Sequence, residues 1–220
     1  MSFNFTATDD YFVSQKNITT LVKFAREQDR KGNQDNRNLF LKLSVVTLVT
    51  RFQVYVENVL KEFDYKIKQT QKLNRDIPLH YRLNSLKLET MERPIHVQLA
   101  NPTEYNQAKY TEVNSFISLL SDWCNDNNPI HPDLKFETKF PLGATGLREL
   151  KKLFKQVDGN DIFARARFDI EKLNEILRRR HDIIHEDKNQ QITEQTVDNY
   201  KKFMERVVKH IDRYLNRIVV

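Results

Sequence analysis

The sequence predicts an all-α fold, and two observations support that prediction. The 220 residues include only four glycines and six prolines, so few positions interrupt regular structure. The long segments between them place apolar residues three and four positions apart, which is the spacing that brings side chains onto one face of a helix. A chain of this length can form one well-packed core, so we expect a single domain over residues 1–220.

Asn17 is the expected start of the first helix, because asparagine often caps a helix N-terminus, and the polar loop 29–36 is its expected end. A long helix should follow, because an apolar stripe continues at helical spacing over residues 39–63. We interpret this helix as the spine of the fold. Glu57 falls on its apolar half, where a carboxylate is a candidate partner for a buried arginine, although an exposed position at the edge of the stripe is the simpler interpretation.

The middle of the chain is less regular. Residues 64–100 are basic and mixed in pattern, and they give no definite prediction. Helical spacing returns over residues 105–125. Residues 129–146 hold three of the six prolines and two of the four glycines, so we expect a loop there, with a short extended piece around 134–140.

The last third of the chain predicts three more helices. They cover residues 147–157, a segment that begins at Ile162 or Phe168 and ends at Glu186, and residues 193–218. The predicted architecture is therefore a helical bundle with a long spine helix and an irregular insertion.

The charge and the cysteine content of the chain indicate which ligands it can bind and in which compartment it is found. The chain has 36 Lys and Arg against 30 Asp and Glu, a net charge of +6, which permits binding to a polyanion without requiring it. The single cysteine, Cys124, excludes an internal disulfide and indicates a reducing compartment, so we expect a cytoplasmic protein. Cys124 lies beside Trp123 in an apolar-periodic segment, and we expect it to be a small buried residue rather than a nucleophile.

No membrane segment is expected. The most apolar stretch, residues 43–49, is too short to span a bilayer. No early segment has the basic start and long apolar run of a targeting signal.

The segment 177–186 contains the residues best suited to binding phosphate and transferring protons. It holds three arginines and two histidines within about three turns of a predicted helix. Arginine remains charged and binds phosphate oxygens in a planar fork, and histidine exchanges protons near neutral pH. Phosphodiester cleavage needs both capacities.

Helix geometry separates these side chains. With about 100° between successive residues, Arg180 falls in the middle of an apolar arc that includes Leu173, Ile176, Leu177, Ile183 and Ile184. A guanidinium there requires a carboxylate, a group of carbonyls or a bound phosphate, and an internal ion pair with Glu57 is one alternative. Arg178, Asp182 and His185 fall on the polar side, with His181 between His185 and the apolar edge. Two histidines near a helix C-terminus can also have no catalytic role, because the helix dipole favours their positively charged form there.

The sequence Arg180-His181-x-x-x-His185 resembles the R-x4-6-H motif of HEPN-domain ribonucleases, in which Asn, Asp or His usually follows the arginine. Arg179 and Arg178 satisfy the longer spacings to His185. The resemblance implies a small helical bundle with this motif on a late helix. It also implies a homodimer whose two motifs form one composite site on RNA.

In such a site the 2′-hydroxyl attacks the phosphorus, and no metal or other cofactor is needed. We assign His185 as general acid or base, Arg180 as the phosphate clamp and His181 as a helper that orients RNA or His185. Arg178, Arg179 and Lys188 are the expected substrate-binding residues. The resemblance further implies a toxin or antiviral defence effector, with an antitoxin or activator protein as its partner.

Two alternatives remain open. The first is a catalytically silent HEPN-like module that binds RNA or protein, because His181 replaces the commoner Asn and Glu186 places a negative charge beside His185. The second is a zinc site on His181 and His185, which resemble H-E-x-x-H with Asp182 in place of Glu. Glu205 or His210 would have to supply its third ligand.

Overall fold

The helical pattern of the sequence is reproduced in the structure, a computed structural model. It describes residues 3–85, 107–132, 137–143, 145–185 and 191–219. Within these ranges the regular structure consists of seven α-helices and one short 3-10 helix, with no strand, so the all-α prediction is confirmed. The α-helices are α1 (Thr6–Arg30), α2 (Gln34–Gln69), α3 (Leu79–Ser85), α4 (Gln107–Cys124), α5 (Gly146–Asp158), α6 (Ile170–His185) and α7 (Glu194–Val219).

Helix α1 begins at Thr6, well before the predicted start at Asn17. Its first turn has no local side-chain cap; instead the Glu62 carboxylate accepts the amide hydrogens of Thr6 and Ala7, at 2.9 and 3.1 Å. A carboxylate there stabilises the exposed amides and the positive end of the helix dipole. The prediction was wrong because the capping group comes from a residue that is distant in the sequence. Gly32, at φ +73°, ends the turn that leads into α2.

Helix α2 is the predicted spine, and its buried positions show where the stripe runs. Leu39 and Leu43, which the sequence placed on the stripe, are 51% and 40% exposed. The first half of the helix carries apolar residues on more than one face, and only packing selects the buried one. The buried hydrophobic residues are Leu41, Val45, Leu48, Val49, Phe52, Tyr55, Val56, Val59, Leu60, Phe63 and Ile67.

Among the described helices, α2 is also the one that is long and apolar enough to cross a membrane by length and composition. The sequence expectation considered only the most apolar stretch, residues 43–49, which includes Ser44 and Thr47. Of the most apolar window of α2, 44% is buried inside the protein, and the core helix of a soluble protein passes the same test.

The chain forms two compact units. Unit 1 contains residues 1–63, 138–155 and 160–220, and unit 2 contains residues 64–137 and 156–159. The single-domain expectation stays a prediction. The core of unit 1 combines aromatic and aliphatic residues from five helices; its largest fully buried side chains include Phe5, Ile18, Leu41, Phe52, Tyr55, Phe140, Phe154, Phe163 and Phe203.

Unit 2 is organised around two buried polar side chains. Asn74 donates to the carbonyls of Asp122 and Asn125, at 2.8 and 2.9 Å. Arg82 donates to the Trp123 carbonyl at 2.6 Å, and its guanidinium lies 5.1 Å from the centre of the indole ring. These contacts fix the end of α4 and its following turn.

Cys124 is exposed, so the prediction of a buried cysteine was wrong. Cys124 is the last residue of α4, and it is the neighbouring Trp123 that contacts the buried Arg82. Of the predicted extended piece, residues 134–136 lie outside the described ranges, and residues 137–140 have no regular structure.

Candidate active site at the end of helix α6

Helix α6 begins with a local cap and is held by its apolar face. The Asp169 carboxylate accepts the amide hydrogens of Glu171 and Lys172, at 2.9 and 3.3 Å, which satisfies two donors of the first turn. The helix starts later than Ile162, close to the alternative start at Phe168. Leu173, Ile176 and Leu177 are fully buried and anchor the helix in unit 1.

The N-terminus of α5 approaches the same helix closely. A methyl group built on Gly146 would lie 3.5 Å from the Leu177 side chain, which is ordinary contact distance. The backbone of α5 therefore packs directly against the residue that precedes the three arginines. This contact contributes to the fixed position of the last turns of α6.

Arg180 lies at the edge of the buried face, whereas the sequence placed it in the middle of the apolar arc. Its side chain is half-buried, and Nη1 donates to the Leu142 carbonyl at 3.3 Å. Its Nε atom is buried and has no hydrogen-bond partner among the described residues. Ile184, expected on the same arc, is 44% exposed because the last turn extends beyond the core. Of the five N–H donors of the guanidinium, one on Nη1 is therefore bonded to Leu142, and the one on Nε is buried without a partner.

The carbonyl that binds Arg180 belongs to a segment held by α2. The Glu57 carboxylate accepts the Phe140 amide hydrogen at 3.1 Å, and Gln53 Nε2 donates to the Phe140 carbonyl at 2.8 Å. The Phe140 ring is buried edge-on against Phe52, with 6.2 Å between ring centres. Glu57 thus binds backbone rather than Arg180, and the alternative of a Glu57–Arg180 ion pair is wrong.

His181 and His185 form a pair on one side of the helix. Their ring centres are 4.7 Å apart and the rings are tilted by 46°. His181 is half-buried, with an Nδ1 atom that has no partner among the described residues, whereas His185 is exposed. The structure therefore brings two imidazoles together one turn apart, next to the turn that carries Arg180.

Arg179 has partners of its own. Its Nη1 donates to the Tyr200 hydroxyl at 2.6 Å, and the same atom lies 3.9 Å from the Glu175 carboxylate. The Tyr200 hydroxyl in turn donates to Glu175. Burial and the hydrogen bond to Glu175 raise the pKa of Tyr200, so the hydroxyl remains a donor. The sequence shows the Glu175–Arg179 spacing, but nothing in it indicated Tyr200.

Arg178 is the most accessible of the three arginines. It is exposed and makes no hydrogen bond within the described part of the chain. It lines a shallow hollow on the outer face of α6, together with Asn174 and Asp182. Lys188 and Glu186, the other residues considered for this site, lie outside the described residues.

A metal site finds no support in the described ranges. They contain no group of three His, Cys, Asp or Glu side chains that could hold a metal ion. His210, one of the two residues considered as a third zinc ligand, is buried, with Nε2 2.8 Å from the Ile162 carbonyl. Its ring stacks on Phe163, and burial lowers its pKa. The imidazole of His210 is therefore packed in the core of unit 1.

Comparison with known families bears on the fold and on the general class of function. Residues 9–217 match the family described as RiboL-PSP-HEPN, while no curated protein and no solved structure matches the chain. A HEPN match is consistent with the helical fold and indicates a function related to RNA or to nucleases. Because the match covers nearly the whole chain, the protein belongs to the RiboL-PSP-HEPN family.

Proposed function

We propose that this protein is a metal-independent endoribonuclease that cleaves RNA by attack of the 2′-hydroxyl on the neighbouring phosphorus. The observation that carries the proposal is the placement of Arg180 beside the His181–His185 pair in the last turns of α6. A fixed cation and two imidazoles on one helix end are suited to a reaction that moves protons while charge accumulates on phosphoryl oxygens.

Arg180 is the proposed phosphate clamp. The bond from Nη1 to the Leu142 carbonyl holds the guanidinium plane, and the Nε atom is still without a partner. A phosphate oxygen would satisfy that donor once the groups that cover Nε move on RNA binding, and the buried surroundings would then strengthen the interaction. A guanidinium that is already oriented loses little conformational entropy when it binds phosphate.

His185 is the proposed general acid or base, and His181 the residue that orients it. His185 is exposed and can reach a bound strand, whereas His181 is half-buried and touches it ring to ring. An in-line displacement needs proton transfer on both sides of the phosphorus, which one imidazole cannot provide. A homodimer in which two motifs meet across a two-fold axis would supply the second imidazole.

The remaining basic residues are assigned to the flanking strand. Arg178 is exposed and suited to a phosphate next to the scissile one, and Lys188 is assigned the same role on its sequence position. Arg179 can offer RNA only those donors that Tyr200 and Glu175 leave, so its contribution to binding should be smaller.

The biological setting is proposed from the resemblance to HEPN-domain ribonucleases. A cytoplasmic enzyme that cleaves RNA without a metal requires control, and we propose that it acts as a toxin or antiviral defence effector. An antitoxin or activator protein would then be its partner, and the products would carry a 2′,3′-cyclic phosphate and a 5′-hydroxyl.

The test is cleavage of mixed cellular RNA by purified protein in EDTA, with His185→Ala as the paired variant and identification of the fragment ends. We expect cyclic-phosphate ends with the wild type and intact RNA with the variant. Intact RNA with both proteins, together with retained RNA binding, would instead favour the catalytically silent module. The Arg180–Leu142 hydrogen bond supports the catalytically silent module, because it already occupies part of the guanidinium.

A further inference from the structure

A groove between α1 and α7 in unit 1 has features that the motif does not explain. It consists of two adjoining open hollows of about 440 and 460 Å³, which share Thr19 and Lys201. None of the motif residues on α6 lines it. We call it the α1–α7 groove.

The positive charges of this groove are only partly paired with acids. Lys16 and Lys23 are exposed on the α1 side, and neither is paired with an acid in the described part of the chain. Lys201 reaches from α7 and donates to the Thr19 hydroxyl at 3.3 Å.

The acids of the groove are partly neutralised. Glu194 is paired with Arg26, and Asp198 is paired with Lys202 at 2.7 Å. Glu205 lines the same hollow as Lys16 and Lys201. The groove therefore presents an excess of positive charge to a ligand.

One wall of the groove contains a buried polar pair that makes few hydrogen bonds. Gln15 is 5% exposed, and neither its Nε2 nor its Oε1 atom makes a well-formed hydrogen bond. The hydroxyl of Tyr11, one turn earlier and 2% exposed, interacts with this amide: burial raises the pKa of Tyr11, and the Gln15 side chain lowers it. The hydroxyl can occupy only part of the amide, and the part left without a partner costs stability unless a ligand supplies one.

An aromatic ring lies at the end of the groove. Phe12 is half-buried and lines the same hollow as Gln15, and the Lys209 ammonium lies 5.6 Å from the centre of its ring. From Phe12 to Arg26 the α1 side of the groove extends about 21 Å. Aromatic rings beside a row of cations are the usual means of binding single-stranded nucleic acid without base-pair readout.

We propose that the α1–α7 groove binds the backbone of single-stranded RNA, with Lys16, Lys23 and Lys201 at phosphates and Gln15 at a polar group of the strand. This inference rests on the proposed function, because it makes the groove a second contact for the RNA that the motif cleaves. The row of lysines favours a strand with several phosphates over a single nucleotide.

Binding of a fluorescently labelled oligouridylate, measured by anisotropy in EDTA and in the His185→Ala background, tests this assignment. The variant is Lys16→Gln/Lys23→Gln/Lys201→Gln. The control, Lys61→Gln/Lys152→Gln/Lys155→Gln, removes the same charge from exposed positions outside the groove. We expect the groove variant to lose at least about tenfold in affinity, with the slope of log affinity against log salt reduced by about 2. Equal losses in variant and control would overturn the proposal.

The nature of the ligand is tested in the same assay. An acidic peptide of equal charge should bind at least about tenfold more weakly than the oligouridylate, because it offers no bases to the Phe12 ring. Equal binding of the peptide, with the same lysine dependence, would make the groove a general polyanion surface and would contradict the proposal.

Gln15→Met provides a second measurement that does not depend on charge. Removal of a buried amide that only the Tyr11 hydroxyl partly satisfies should raise the Tm of the free protein by about 2–4 °C, while the affinity for oligouridylate falls. A raised Tm with unchanged affinity would show that Gln15 does not contact the strand. Wild-type cleavage in EDTA is measured separately: absent cleavage with groove-dependent binding removes only the proposed function, and cleavage with groove-independent binding removes only this inference.

Discussion

Arg180 combines a structural and a proposed chemical role in one side chain. Its Nη1 atom satisfies the Leu142 carbonyl, and its Nε atom is unsatisfied. We predict that Arg180→Ala lowers the cleavage rate by about a hundredfold or more, because a fixed cation no longer faces the phosphate. Loss of the hydrogen bond should reduce stability by only about 1 kcal/mol. Single-turnover cleavage and urea unfolding measure the two effects separately.

Arg178→Ala is the matched control for that variant. It removes the same side chain from the exposed face of the same helix, where no hydrogen bond is lost. We expect weaker RNA binding with little change in the rate at saturation. A fully active Arg180→Ala protein, or an equal loss of rate in both variants, would contradict the assignment of Arg180.

Asp212 is a half-buried carboxylate whose effect depends on pH. It accepts hydrogen bonds from Tyr55 at 2.7 Å and from Thr8 at 2.9 and 2.8 Å. Burial nevertheless raises its pKa, and the nearby Asp9 and Glu62 raise it further. The folded protein therefore holds this proton to a higher pH than the unfolded chain, whose ordinary pKa is 3.8.

Stability from this group should accordingly be greatest below pH 3.8 and fall as pH rises through the raised pKa of the folded state. We predict that Asp212→Asn, which keeps an acceptor oxygen, removes this fall. The measurement is the difference in urea midpoint between wild type and variant across the acid range. A constant difference at all pH values would show that the pKa of Asp212 is not shifted.

At the scale of elements, the segment that reaches Leu142 depends on α2. Glu57 and Gln53 bind the amide and the carbonyl of Phe140. We predict that Glu57→Ala leaves the Phe140 amide unsatisfied, costs about 1–3 kcal/mol and reduces cleavage through the displaced Leu142 carbonyl. Unfolding and cleavage are measured on the same preparations.

Glu57→Gln is the informative comparison, because its amide oxygen can still accept the Phe140 hydrogen. We expect near wild-type cleavage for this variant. If Glu57→Gln were as inactive as Glu57→Ala, the charge of Glu57 would be required, and the role of a purely structural acceptor would be wrong.

A sequence can reveal those helix boundaries that local signals determine. The predictions for α4, α5 and α7 agree with the structure, because the signals for their periodicity and termination are local. The start of α1 was missed, because its first amides bind Glu62 from another helix. Similarly, the periodicity of α2 was readable, but the choice among its apolar faces was made by packing.

At the scale of the whole molecule, the composite site makes a prediction about mixtures. If the site needs a His185 imidazole from each of two chains, a heterodimer of wild type and His185→Ala is inactive. We predict that unfolding the two proteins together in equal amounts and refolding them leaves about a quarter of the rate of the same total amount of wild type, because only about a quarter of the dimers then carry two intact motifs. The two proteins refolded separately and then mixed are the control, which should keep about half of that rate. Retention of about half in the mixture refolded together would contradict a shared site.

The sequence by itself determined the helical class, the long α2 helix and the spacing of Arg180, His181 and His185, because each depends on helical periodicity within a short stretch of chain. Only the tertiary structure decided the partners: Leu142 for Arg180, Tyr200 for Arg179, Phe140 for Glu57 and the backbone of α1 for Glu62. These contacts join residues 21 to 83 positions apart in the chain. A local pattern carries no information about such pairs, because they are selected by how the helices pack.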